Sequence, residues 1–289
     1  MRPEQPLVIY EIRALDEAAF GLFEKPGVLE SLGPLLAGLH WEADFAFIFF
    51  TAEADSEIAE LLRKNTNLCL SHTHFLTYAQ WQDGAGAEPF TVAGLTVCGP
   101  DDPKASTDGD GMKIIVDPGL AFGFGGHPTT YSCLDFLGRA CRNASSQTAS
   151  VLDLGAGTGI LSLAAARWGI PTVVGVDYSH LAVEAARRNL ALNRLDEQVA
   201  FFRGPAQAWA SHKAELLLAN LHLSLQEELL ALGAFNNRRL AIISGLFPSE
   251  GDGLFEKLKA IGFRLVDQVR TDRWITMFLE NETWLEPAA

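Results

Sequence analysis

"VLDLGAGTGI", residues 151–160, runs from an apolar stretch into a loop of three glycines. Val and Leu ending in glycine read as a buried strand, and "ILSLAAARWG" (160–169) reads as a helix by its alanine and leucine content. A glycine-rich turn between strand and helix lets the backbone approach a ligand closely and aims helix N-terminal N–H groups at a polar group. A pyrophosphate and an amino-acid carboxylate suit that place equally. The spacing narrows the choice. A dinucleotide fingerprint is G-x-G-x-x-G, whereas Gly155, Gly157 and Gly159 follow G-x-G-x-G and position 160 is Ile. The NAD pattern fails at its last position, which argues against a nicotinamide oxidoreductase.

Reading outward, "TVVGVD" (172–177) is a second buried strand, and "SHLAVEAARRNLALN" (179–193) a helix with Ser179 as its expected N-cap. "VAFFRG", "ELLLANL", "RLAIISGL", "FRLVDQV" and "RWITMFLEN" supply five more strands, with "LSLQEELLALG" and "GDGLFEKLKAIG" as helices between some of them. Strands alternating with helices imply a parallel sheet covered on both faces. Only "RTD" separates the last two strands, so they should pair antiparallel. That hairpin is unlike a plain dinucleotide-binding fold. The expected class is α/β, a Rossmann-like seven-stranded sheet with an antiparallel last hairpin.

Two positions at the carboxyl ends of these strands stand out. Asp177 ends the second strand, about 20 residues after the loop, where a carboxylate can accept hydrogen bonds from both ribose hydroxyls. The bland alternative is an acid balancing a helix dipole. Asn220, in "LLLANLHLS" (216–224), ends the fourth strand and offers both an amide donor and a carbonyl acceptor; alone, it would read as a turn residue. A glycine loop for a carboxylate, with an acid for a ribose, describes a nucleoside carrying an amino-acid tail. S-adenosylmethionine is such a molecule. Upstream, "DPGLAFGFGGHPTTYSCLDFL" (117–137) is a second glycine-rich loop, entering a helix near Pro128.

The first hundred residues form a different unit. "LVIYEIRA", a helical pattern around 15–32, "DFAFIFFTAE", a helix near 55–66 and "SHTHFLTYAQW" suggest a smaller α+β domain with helices on one face of an antiparallel sheet. Residues 84–111 are rich in Gly, Pro and Asp, although "FTVAGLTVCG" within them can pair as strands. The expected division is an α+β domain over 1–100, a linker over 101–116 and the α/β domain over 117–289.

A formal net charge of −14 argues against a phosphate-backbone binder and suits a basic protein partner. The four cysteines, Cys69, Cys98, Cys133 and Cys141, contain no CxxC pair and suggest neither a zinc site nor a disulfide framework. With no signal-like segment and no apolar run of membrane length, the chain reads as cytoplasmic.

"DPGLAFGFGGHPTT", "VLDLGAGTGILSLAAARWG", "VVGVDYSHLAVEAARRN" and "LLLANL" together resemble the successive motifs of the PrmA-type ribosomal-protein methyltransferases. The electron-transfer-flavoprotein lysine methyltransferases share much of this pattern. The resemblance runs from about Asp117 to the C-terminus, and "DPG-AFG…HPTT" is its most specific part. It implies a class I S-adenosylmethionine-dependent methyltransferase acting on protein eleven of the large ribosomal subunit, with the N-terminal domain recognising the substrate. It places cofactor contacts on Thr130, Gly155, Asp177 and Asn220, with Gly157 in the same loop. The family pattern "GTGTHPTT" is replaced here by Gly123-Phe124-Gly125-Gly126-His127, which raises a stacking or closing role for Phe124. His222 stands where small apolar residues are usual, and reads first as an exposed loop histidine. The N-terminal domain matches only loosely, through "YAQWQDG…EPFTVAGLTV".

Transfer of methyl from a sulfonium is a direct displacement in which the cofactor carries the activation. The protein must align a neutral nitrogen and exclude water. A lysine, with an ordinary pKa of about 10.4, must first lose a proton. Asn220 is the catalytic candidate, accepting a hydrogen bond from the amine and orienting its lone pair. Other acceptors for the same fold remain open, another protein lysine or a small molecule, since fold does not fix the acceptor. So does a non-catalytic cofactor-binding protein.

Overall fold

The computed structural model describes residues 4–15, 22–23, 28, 30–42, 45–81, 89–105, 112–117, 119–120, 127–142, 148–236 and 238–284. By packing, the chain divides into two compact units, Met1–Gly86 with Ser179–Leu181 and Ala87–Tyr178 with Ala182–Ala289.

In the first unit, β1 (Pro6–Ala14), β2 (Leu36–Glu42), β3 (Phe45–Phe50) and β4 (Leu68–Thr77) form an antiparallel sheet in the order β2-β3-β1-β4. Helix α1 (Asp55–Lys64) places Asp55 and Glu57 in its first turn and Arg63 and Lys64 in its last, each sign at the favourable end of the dipole. It buries Ile58 and Leu61 in a core with Val8, Tyr10, Ile12, Ile48 and Phe50. The Tyr10 hydroxyl fastens the helix entry, donating to Asp55 Oδ1 at 2.6 Å and accepting from the Ala54 N–H at 2.9 Å. A single turn, α2 (Tyr78–Trp81), follows β4. Strand β2, "LAGLHWE", is not marked as a strand by the sequence pattern. Of the helix expected around 15–32, residues 16–21, 24–27 and 29 lie outside the described residues, and Glu30–Leu32 form one 3-10 turn.

The second unit opens with a small sheet of β5 (Phe90–Val92), β6 (Leu95–Cys98) and β7 (Met112–Ile115). "FTVAGLTVCG" is therefore a strand pair, as its pattern allowed. The expected linker over 101–116 contains β7, which pairs parallel with β6. Packing accordingly divides the chain between residues 86 and 87 rather than near 100. The reason is apolar content: Val92, Leu95, Val97 and Ile114 are buried in one core with helix α3 (Pro128–Arg142).

Beyond α3 come β8 (Ser150–Leu154), α4 (Ile160–Arg167), β9 (Thr172–Asp177), α5 (His180–Asn193), β10 (Val199–Arg203), β11 (Leu216–Asn220), α6 (Leu223–Ala231), β12 (Leu240–Leu246), α7 (Pro248–Lys259), β13 (Phe263–Arg270) and β14 (Ile275–Asn281). Helix α7 begins earlier than expected because Pro248 takes the first helical position. The seven strands run β10-β9-β8-β11-β12-β14-β13, parallel except for β14, which is antiparallel to both neighbours. This is the α/β sheet with an antiparallel last hairpin that the apolar runs predict.

Alternate residues of the parallel strands enter two cores. Val151, Val173, Leu216 and Ile242 pack with α3 and α4, while Leu152, Val174, Leu217 and Ile243 pack with α6 and α7. Strands covered on both faces read as continuous apolar runs, which is why they were legible. Strand order reverses between β8 and β11, and ligands of open α/β sheets sit outside the carboxyl ends at such a reversal. Among the described residues no helix is long and apolar enough to cross a membrane.

Candidate active site at the carboxyl edge

The loop after β8 is built on glycine backbone. Gly155, Gly157 and Gly159 have φ of +74°, +57° and +80°, in the left-handed region that L side chains rarely adopt. The Gly155 and Ala156 N–H groups donate to Val176 O at 2.8 and 3.0 Å, holding the loop beside the end of β9. Gly159 caps α4, and a Cβ there would lie 2.5 Å from Phe201 Cζ and 3.2 Å from Ala186 Cβ. Gly159 thus provides the close helix–sheet packing that the third glycine of a dinucleotide motif provides one residue later.

Asp177 sits half-buried where β9 ends, and its Oδ2 accepts the Gly157 N–H at 2.9 Å. Loop and acid are therefore one construction. Beneath them lies Asp153, 1% exposed, which accepts the Ser162 hydroxyl at 2.6 Å. Burial pushes its carboxyl up to about 7, with the neighbouring Asp177 charge adding to the rise and the Ser162 hydrogen bonds opposing it.

Two asparagines one turn apart on α5 join this loop to the segment before α3. Asn189, fully buried, donates to Thr158 O at 2.9 Å and accepts the Asp117 N–H at 2.8 Å. Asn193 donates to Ile115 O at 2.6 Å and accepts the Ile115 N–H at 2.9 Å. Neither was singled out from the sequence, yet the i, i+4 spacing in "RRNLALN" on an apolar helix face was the available signal.

At the end of β11, Asn220 Nδ2 donates to Thr129 Oγ1 at 3.2 Å. Thr129, the residue before the expected cofactor contact Thr130, is thus the one that meets Asn220. Thr130 is 3% exposed in the first turn of α3. The His127 and Trp274 rings pack edge to face with centroids 5.3 Å apart, and Trp274 stacks on Phe247 at 5.6 Å. Neither aromatic was anticipated. His222 is exposed and caps α6 by accepting the Leu225 N–H. Phe124 lies outside the described residues. Thus Gly155, Gly157, Asp177 and Asn220 gather around the strand ends of the sheet reversal.

Residues 48–282 match the family described as ribosomal protein L11 methyltransferase (PrmA). The chain belongs to this family. It is similar to the ribosomal protein L11 methyltransferase of Dictyoglomus turgidum, with 33% identity over 178 residues, covering 60% of this chain and 56% of that one. For the enzyme of the same name from Heliobacterium modesticaldum the identity is 34% over 167 residues, covering 57% and 52%. The chain thus spans about half the length of the curated PrmA relatives it matches. A crystal structure of ribosomal protein L11 methylase from Lactobacillus delbrueckii subsp. bulgaricus is 26% identical, with a TM-score of 0.56, over 65% of this chain and 95% of that one. Membership in the PrmA family and the strand order agree on a methyltransferase fold.

The residues at the carboxyl edge fit the cofactor that such a fold implies. Glycine backbone, the half-buried Asp177 carboxylate and the Asn220 side chain supply the donor and acceptor set that a nucleoside with an amino-acid tail requires.

Proposed function

We propose that the chain is a protein N-methyltransferase that takes methyl groups from S-adenosylmethionine and places them on amino groups of a protein, a large-subunit ribosomal protein of the L11 type. The observation carrying this reading is the Gly157–Asp177 hydrogen bond beside the sheet reversal, with Asn220 ending the strand on the other side of β8, in a chain of the PrmA family. The cofactor, when bound, supplies a methyl group on a sulfonium, already activated toward a nucleophile.

The residues of this chain do the rest. Asp177 would accept from the ribose hydroxyls, and the Gly155–Gly157 backbone would lie against the cofactor. The α4 N-terminus would offer N–H groups to its polar end. Thr130 stays a candidate cofactor contact through the first turn of α3. Asn220 would accept an N–H of the incoming amine and so orient the amine's lone pair for attack. The proton leaves to solvent before transfer, since an ammonium has no lone pair. The N-terminal unit, with the chain's net charge of −14, selects a basic protein.

The test is incubation of the full chain with radiolabelled S-adenosylmethionine and purified L11, and separately with a cell lysate. Label in lysine or N-terminal amine of L11, found by mass spectrometry, is the expected result. Label in a different protein or a small molecule would move the acceptor and leave the cofactor chemistry standing. Cofactor binding with no transfer in either mixture would make this a non-catalytic binding protein.

A further inference from the structure

An asparagine carboxamide is nearly symmetric in shape, so nothing in the residue type decides which end faces an acceptor amine. The amine has N–H groups to donate. Only the carbonyl end of Asn220 can receive one, while the NH₂ end would donate to the lone pair that must attack.

The surroundings of Asn220 break that symmetry. The Thr129 backbone N–H points at His127 Nδ1, 3.3 Å away. A backbone N–H can only donate, so Nδ1 carries a lone pair and the proton of the neutral ring is on Nε2. The Thr129 hydroxyl lies 2.7 Å from the same nitrogen and must also donate to it. Its proton is then committed, and its oxygen can only accept from Asn220. The group 3.2 Å away is accordingly the Asn220 NH₂, as the structure has it. Among the described residues the Asn220 carbonyl oxygen accepts no side-chain hydrogen bond, and it is not a buried orphan. Thr129 is 2% exposed, so water does not substitute for its hydroxyl. Trp274, itself stacked on Phe247, packs edge to face with the His127 ring.

We infer that His127 and Thr129 are positioning residues that turn the Asn220 carboxamide so that its carbonyl faces the acceptor amine. The inference rests on the proposed amino-group methylation. It adds that the direction of one hydrogen-bond chain, from Asn220 through Thr129 to His127, selects an N–H-bearing acceptor.

Two measurements on the full chain test it. Long-range nitrogen–proton NMR of the histidine rings should find the His127 proton on Nε2, and a proton on Nδ1 would overturn the chain's direction. Thr129→Val should lower the methylation rate at saturating substrates roughly 10- to 100-fold, the scale for a misoriented group. Cofactor affinity by calorimetry should fall far less than the rate, because the Gly155–Gly157 backbone and Asp177 are untouched, and Thr129→Ser should restore most of the rate. In an Asn220→Ala background, Thr129→Val should cause no further loss. An unchanged rate in Thr129→Val, a full independent loss in the Asn220→Ala background, or no rescue by Ser would overturn the proposal. If Asn220→Ala itself methylates at the wild-type rate, the amine-accepting role of Asn220 falls, and the proposal with it.

Discussion

The carboxyl edge of the parallel sheet and the Glu11–His72–His74 cluster of the N-terminal sheet treat polar side chains differently. At the edge, Asp153 and Asn189 are buried and Asp177 and Asn220 half-buried, each tied to another segment by a hydrogen bond of 2.6–3.2 Å. On the N-terminal sheet, Glu11 meets His72 and His74 across β1 and β4, and both histidines are exposed to solvent at 69% and 43%. A buried polar group left without its partner costs its full desolvation, whereas an exposed one exchanges its partner for water. Substitutions at the edge should therefore cost far more than equivalent ones on the N-terminal sheet.

The largest contrast is expected at glycine. Gly159 and Gly94 have nearly equal φ, +80° and +81°, but a Cβ at Gly159 would strike Phe201 while one at Gly94 meets nothing within 4 Å. Both Ala variants bear the left-handed backbone penalty of about 1–2 kcal/mol. Only Gly159→Ala adds overpacking of about 1–3 kcal/mol. Urea unfolding should place Gly159→Ala on the order of 2–5 kcal/mol below wild type and Gly94→Ala only about 1–2 kcal/mol below it. Equal losses would show that close packing at the edge contributes nothing.

Next is the pH dependence set by Asp153. Its folded pKa, raised to about 7, lies above the ordinary value of 3.8. Below about pH 4 both states hold the proton. Between about pH 4 and pH 7 the folded state keeps a proton that the unfolded state has released, so stability falls as pH rises, by at most about 1.4 kcal/mol per unit. Above about pH 7 the loss is complete and flat. Asp153→Asn should flatten this slope in denaturation curves taken from pH 4 to 8. A wild-type slope that survives the substitution would assign it to other groups.

Asp177→Ala should weaken S-adenosylmethionine binding by about 1–3 kcal/mol, the worth of charge-assisted hydrogen bonds, while NADH binds neither form comparably. Unchanged affinity in the folded variant would remove the ribose assignment. Because the Asp177 charge also raises the Asp153 pKa, the same variant should move the stability slope toward lower pH.

These positions were unequally legible in the sequence. Gly155, Gly157, Asp177 and Asn220 stand at strand ends flagged by apolar runs such as "TVVGVD" and "LLLAN", so period and punctuation located them. Ile160 was read as a failed glycine, but the structure moves the packing role to Gly159, a shift of one residue that spacing rules do not foresee. Thr129 and Thr130 are adjacent and identical in type, and only the helical turn decides which reaches Asn220. Asn189 and Asn193 are not singled out by the sequence, because their partners, Asp117 and Ile115, are distant in it. The boundary near residue 100 followed Gly and Pro content, while the fold follows the apolar residues of β5 to β7.

The smallest effect is expected where the N-terminal sheet carries its charges. His74 Nε2 lies 3.1 Å from Glu11 Oε2, and this hydrogen bond is the main influence holding the Glu11 carboxyl below its ordinary value of 4.5. A depressed carboxylate stabilises the fold above its unfolded pKa, and that contribution disappears as pH falls through the lower, folded one. Much of it is lost to solvent screening, since the His74 side chain is 43% exposed. His74→Gln keeps a donor near Glu11 and removes only the ring, so it should cost less than about 1 kcal/mol at pH 7. The difference should shrink further in 0.5 M salt, where the screening length falls to about 4–5 Å. Cofactor affinity should be unchanged, because the glycine loop, Asp177 and Asn220 all belong to the other packing unit. Thermal unfolding at two salt concentrations, with calorimetry on the same samples, reads both quantities. A loss of several kcal/mol would mean that the Glu11 cluster is held as tightly as the edge, and a fall in cofactor affinity would erase the division of labour between the two regions.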